Sequence, residues 1–371
     1  MSDRLTLSKK EMQLDIQIHG ASSSLVADCK RAELAAYRAR LGHFNLAAES
    51  LALLKKRNEK SPHVELSVWI HLADGILAYF SNVGVSRTDG VKRAHALSAA
   101  TGLTELRAIC SAWLAQWAYA KLDIKTLEMC VREAFQAAGP NNYAARSRAS
   151  LVVAQGLHLA ARPDLAQYWY GKCREHAIND HDDVTVSALM HNMTWLRMLS
   201  MRQVLLTGIG DISVGRHALM SAESTAHFDH LHGDSSWDEL KPLLRAQIVS
   251  LQGKADDALS LYDKHLSGGK GLQRIQANLL ADKAWCHIQL GQSKEAKVCA
   301  DLACANLVEE TQTDDRAATH SWLALVYEAL EDSATAQHHR VIASEQWRLH
   351  CVMQVKAVEL LSSIDEEVRA P

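Results

Sequence analysis

His227, Asp229, His230 and His232 form the densest group of potential metal ligands in the sequence, and His227 and His230 share one face of any helix that carries them. A zinc site needs three or four convergent ligands, each held by a partner behind it. With 19 histidines in the chain a local cluster is unsurprising, and the plainer reading is a solvated helix end without metal. His338-His339 is weaker, because adjacent helical residues point to different faces. Gly208-x-Gly210 with Gly215 superficially resembles a dinucleotide loop, and Gly269-Lys270 a phosphate loop. The first lacks a preceding buried strand and a third glycine at the required spacing; the second lacks Ser or Thr after the lysine and a glycine five residues before it. Among nine tryptophans, Trp113, Trp117, Trp195, Trp285 and Trp322 stand in apolar helical stretches and read as core, while Trp237, beside Ser235-Ser236, reads as partly exposed. These groups assemble no catalytic constellation and imply no cofactor, so the chain is expected not to be an enzyme.

The elements that position these residues follow from small side chains. Ala35, Ala115, Ala154, Ala246, Ala284 and Ala324 each precede a helix-breaking point by seven residues, at Gly42, Leu122, Ala161, Gly253, Gly291 and Glu331; five residues after those points come Ala47, Leu127, Ala166, Ala258, Ala296 and Ala336. A small residue, a tight turn and another small residue let two antiparallel helices approach closely. The spacings of the first set are 80, 39, 92, 38 and 40 residues, so the two wide intervals hold two units each, giving eight helical hairpins. The expected fold is all-α, one right-handed α-solenoid.

A solenoid also resolves the length of 371 residues, since each repeat packs only on its neighbours. The 40 basic and 43 acidic side chains leave a net charge of −3 with no extended Lys/Arg run, which disfavours a nucleic-acid partner. No stretch approaches 18 uncharged apolar residues, and Met1 to Gly20 lack the apolar core of a signal peptide; no membrane insertion is expected, and the location is read as cytoplasmic. The eight scattered cysteines, none in Cys-x-x-Cys, read as small core hydrophobes in a reducing compartment.

Three regions depart from the pattern. Residues 1–21 form an irregular lead-in in which Leu5, Leu7, Met12, Leu14, Ile16 and Ile18 alternate, as in an extended or frayed segment rather than an assigned strand. Within the solenoid of residues 22–345, the second unit carries a long loop from Ser81 to Gly90, and the fifth, near 183–237, is broken by Leu206 to Asp211 and Gly233 to Ser236. Residues 346–371 extend the last helix, with Leu349, Met353, Leu360 and Ile364 as an apolar stripe that either caps unit eight or pairs with a second copy of the chain.

Leu34-Ala35, Leu114-Ala115 and Leu323-Ala324 in first helices, turns of the Leu41-Gly42-His43 and Leu290-Gly291-Gln292 type, and Ala47, Ala258 or Ala296 in second helices resemble the tetratricopeptide repeat over about residues 22 to 345. The units are nearer 40 residues than 34, the early tryptophan position is filled only loosely, and the closing proline occurs once, at Pro140. Units of this length look like the sensor regions of bacterial activators of the maltose-regulator type. That resemblance implies that first helices line a concave face and that the residue after each packing alanine points into it: Ala36, Gln116, Gln155, Gln247, Trp285 and Leu325. Tyr119, Arg148, His158, Ser250, Asn278, Gln289 and Glu328 would lie nearby, making a polar, nearly neutral groove rich in groups that both donate and accept. The plainer alternative is that the glutamines are ordinary surface residues of helices. The function expected from the sequence is a scaffold or adaptor binding a peptide or protein partner along this face, in a bacterial regulatory or assembly system. A ligand- or peptide-gated sensor is the alternative, and a closed pocket near units four to six would favour it.

Overall fold

The structure, a computed structural model, describes residues 8–81, 88–208, 217–232, 238–266, 272, 274–309 and 311–369. Leu5, Leu7, most of the Ser81–Gly90 loop, Gly210, Asp211, Gly215, Gly233, Asp234, Ser235, Ser236, Trp237, Gly269 and Lys270 lie outside the described residues, as does the side chain of His232. Among the described residues there are seventeen α-helices and no strand. A first helix α1 (Lys9–His19) precedes the pairs α2 (Ser24–Arg40) and α3 (Phe44–Lys60), α4 (Val64–Ser81) and α5 (Asp89–Ala100), α6 (Thr104–Ala120) and α7 (Ile124–Ala137), and α8 (Tyr143–Leu159) and α9 (Pro163–Asn179). The pairs α10 (Asp183–Thr207) and α11 (Ala218–His232), α12 (Lys241–Leu251) and α13 (Ala255–His265), α14 (Gln276–Gln289) and α15 (Ser293–Ala305), and α16 (Thr313–Ala329) and α17 (Ser333–Arg369) follow. The two helices of each pair pack together, and the first helices stack in chain order from α2 to α16. This succession of packed neighbours is compatible with a helical-repeat array.

The turns explain the pairing. All six breaking points have left-handed backbones, with φ of 85° at Gly42, 55° at Leu122, 57° at Ala161, 78° at Gly253, 73° at Gly291 and 64° at Glu331. The next N–H then reaches back over the helix end, as in His43 N to Arg38 O at 2.9 Å and Asp123 N to Ala118 O at 2.9 Å, which satisfies carbonyls that would otherwise be orphaned. At Leu122, Ala161 and Glu331 a side chain stands where glycine would be unstrained, at a cost of roughly 1–2 kcal/mol each. Asp123, Asn142 and Asp182 cap the following helices by accepting from the N–H groups of Thr126, Ala145 and Thr185, and Pro163 opens α9.

All twelve packing residues are buried, Ala324 at 3% exposure being the least so. Gly75 occupies the same place in the second pair, 40 residues after Ala35 and 40 before Ala115. A Cβ on it would lie 2.5 Å from Val91 Cγ2, and one on Gly90 would lie 2.8 Å from the His71 carbonyl oxygen, so two glycines let α4 and α5 touch backbone to backbone.

One expectation is corrected at the start of the chain. The lead-in is helical from Lys9, because Ser8 and Glu11 form a reciprocal capping box. Its alternation marks no strand: Leu14 is fully buried, whereas Ile16 is 73% exposed. Helix α1 is fixed by charge, with Lys10 Nζ 2.6 Å from Asp180 Oδ1 and Arg38 donating to Glu11 Oε1 at 3.0 Å. At the other end the last helix extends as read from the sequence, α17 running unbroken for 37 residues. Its first part packs on α16, as expected, but its last part crosses to α7 and α8. There Ala357, Leu361 and Ile364 join Leu127, Val131 and Val153 in one buried cluster. Gln354 donates to the Leu159 carbonyl at 2.8 Å and Arg132 to Ser363 Oγ at 2.6 Å. Met353, Leu360 and Ile364 of the stripe assigned to capping or dimerisation therefore pack within the chain, and Leu349 is 38% exposed. Among the described residues no helix is long and apolar enough to cross a membrane.

Candidate functional site

Helix α17 returns to α7 and α8, α10 packs on α16, and the first helices line a common space. They bound a pocket of about 280 Å³ to which every even-numbered helix or its N-terminal flank contributes, from Arg40 of α2 to Asp315 of α16. Arg274 and Gln312, on the approaches to α14 and α16, both donate to the Ala120 carbonyl at the end of α6, at 3.1 and 2.9 Å, and so tie distant units together across the wall.

One part of the wall is aromatic and cationic. The Arg148 guanidinium lies 4.2 Å from the Trp113 ring centroid, with Arg40 at 5.8 Å from the same ring. Phe80 meets Trp113 edge to face at 6.3 Å, and Tyr79 meets Trp117 at 5.0 Å. Arg40 is neutralised by Asp182, to which it donates twice at 2.8 and 3.1 Å, and it also bonds Thr185 at 2.6 Å. Burial alone would raise the Asp182 carboxyl, but Arg40 and Thr185 outweigh it and hold the group at about 2. Arg148 has no such partner. Among the described residues its one side-chain bond goes to Gln116 Oε1 at 3.4 Å, and burial, reinforced by the neighbouring charge of Arg40, pushes the guanidinium down to about 10.

Another part of the wall holds a polar knot. Asp229, fully buried, accepts from Ser187 Oγ at 2.5 Å and lies 2.6 Å from His191 Nε2 and 2.8 Å from Lys241 Nζ. His191 and Lys241 line the pocket, while apolar cover comes from Leu159, Val184, Ala188, Trp195, Leu199 and Leu244. Asp229 thus turns inward from the histidine cluster read in the sequence, and His227 and His230 are exposed on the other side of α11. Among the described residues no three His, Cys, Asp or Glu side chains converge as metal ligands.

The residues expected in the groove divide. Gln116, Tyr119, Arg148 and Gln155 line the pocket. His158 lines a narrower neighbouring cavity of about 20 Å³ and sits 3.0 Å from the Tyr170 hydroxyl, with burial pushing its imidazole down to about 4. Gln247, Ser250 and Asn278 are buried elsewhere. Asn278 Oδ1 accepts from Gln247 at 3.0 Å and from Arg202 at 2.7 Å, and Arg202 also donates to Asp315 at 2.8 Å. Ser250 donates to Asp282 Oδ1 at 2.6 Å. Trp285 stacks on Trp322 with ring centroids 5.8 Å apart, and Gln289 and Glu328 are exposed.

The sequence reading missed Arg40, Arg274, His191 and Lys241. It assigned Trp113 and Trp195 to the core, yet both line the pocket. For Arg40 the 40-residue frame was the available signal: Arg40, Phe80 and Ala120 recur at that interval near the ends of α2, α4 and α6, and all three line the pocket. No protein-family model matches the chain, and no curated protein matches it either.

Proposed function

We propose that this protein is a non-enzymatic, cytoplasmic ligand-gated sensor. In this reading eight hairpins of tetratricopeptide type form a right-handed solenoid, and the C-terminal helix draws it closed around a small-molecule site. The interior pocket carries the proposal: about 280 Å³, near the lower end of the range for ligand sites, with an apolar lining and a few converging polar groups. Occupancy would shift the contacts of α17 on α7 and α8, and a protein partner would read that change. An extended peptide held by an amide ladder fits less well, because Gln116, Gln155 and Gln247 are only 7%, 3% and 2% exposed.

Filling the pocket tests this. The purified protein is dialysed against a small-molecule extract of its host, and retained compounds are read by native mass spectrometry. A compound should be retained by the wild type and lost from Ala188→Phe at an unchanged melting temperature. Retention by Ala188→Phe at wild-type level, or no retention by either protein, would refute the sensor reading.

A further inference from the structure

Most charged groups of the pocket wall have a partner of opposite sign. Arg40 is answered by Asp182, Lys241 by Asp229 and Asp238, His191 by Asp229, and Asp315 by Arg202. Arg148 and Arg274 remain. Arg148 is 6% exposed and bonds only the neutral amide of Gln116, and Arg274, half-buried, donates to the Ala120 carbonyl. Neither has a carboxylate within ion-pair distance among the described residues, and both act on the hydroxyl of Tyr79. Gln155, 3% exposed on the same wall, has a side-chain oxygen without a hydrogen-bond partner.

A buried guanidinium without a counter-charge is costly, and its planar fork matches a carboxylate in a two-point bond. The Arg148 guanidinium already rests over the Trp113 ring, 4.2 Å from its centroid. The Gln155 oxygen can accept a proton from a hydroxyl or amide on the same ligand, and Trp195, Leu199 and Leu244 offer an apolar surface to its body.

We infer that the pocket takes an organic carboxylate with a flat apolar body, its carboxylate seated on Arg148 and Arg274. The inference rests on the pocket reading above and adds the ligand's charge and shape to it. An anion supplies Arg148 with the ion-pair partner that the described residues do not, whereas a cation would meet two guanidinium groups; Arg274 is answered only at longer range, by Asp315.

The experiment compares 1-naphthoate with its uncharged counterpart 1-naphthamide, by titration calorimetry and by quenching of tryptophan fluorescence. The wild type should bind naphthoate roughly tenfold or more tightly than naphthamide, as a charge-assisted two-point bond implies. Arg148→Met keeps the volume over Trp113 and should abolish the preference while leaving naphthamide binding within about twofold; Arg148→Lys should restore part of it. Should Arg148→Met not fold, Arg274→Gln, at a half-buried position, carries the same test. Equal affinity of the wild type for both compounds, with both lost from Ala188→Phe, overturns the carboxylate inference and leaves the pocket reading standing. Binding of neither compound overturns both.

Discussion

Exchanging Gly156 and Leu361 for alanine, singly and together, measures the seat of the last helix on α8. A Cβ at Gly156 would lie 2.5 Å from Leu361 Cδ1, against the 3.4–4 Å of ordinary contact, and Leu361 is fully buried. Gly156→Ala alone therefore sets an overpacking cost of about 1–3 kcal/mol against about 1 kcal/mol gained from alanine's helix propensity. The net is a loss of about 0–2 kcal/mol. Leu361→Ala alone removes three carbons from the cluster around Leu127 and Val153 and leaves a hole, which costs about 2–5 kcal/mol. In the Leu361→Ala background the clash is gone and the added methyl fills part of the hole, so Gly156→Ala should become stabilising by about 1–2 kcal/mol. The coupling between the sites is then about 1–4 kcal/mol. Urea unfolding followed by tryptophan fluorescence reads it, since Trp169 lies in the same cluster. Additivity of the two changes within about 0.5 kcal/mol would mean that α17 does not rest on α8 at this point.

Further perturbations test the register and the buried charges. Ala154→Leu or Ala284→Leu, at fully buried positions, should destabilise by about 1–3 kcal/mol, and unchanged melting temperatures would show the helix register to be wrong. Arg40→Met leaves Asp182 buried without its cation and should cost about 3–5 kcal/mol at neutral pH. Asp182 is held at about 2, below its ordinary 3.8, so the stability it contributes is present above about pH 4 and is lost as pH falls through 2; the gap between wild type and Arg40→Met should narrow over that interval. Asp282 is the opposite case: burial raises its carboxyl to about 6, so the unfolded chain gives up this proton first and stability falls as pH rises from about 4 to 6. Stability measured against Asp282→Asn should show the wild type losing about 3 kcal/mol across that window, and parallel pH profiles would refute the assignment.

The turns and packing residues were legible because they depend on near neighbours. A left-handed residue at Gly42 or Glu331 and a small residue seven positions earlier belong to one local geometry, repeated along the chain. Gly75 was equally legible at 40 residues from Ala35, but the search followed alanine alone. The site was legible only in part. Gln116, Tyr119, Arg148 and Gln155 follow from counting along first helices, whereas the diversion of Gln247 depends on Arg202 reaching Asn278 from α10, 76 residues away in sequence. Closure was illegible for the same reason: the contact of Leu361 with Gly156 joins helices that no local pattern relates. Helix α1 was misread because a period of two over Met12–Ile18 hides that Leu14 alone among these positions is fully buried.

The crossing of α17 onto α7 and α8 changes how the molecule can come apart. In a chain of units that touch only their neighbours, either end can unravel while the remainder stands. Here the terminal helix is clasped by the middle of the chain, so loosening the last pair also uncovers the cluster around Leu127 and Trp169. Fraying is exchanged for a larger cooperative unit.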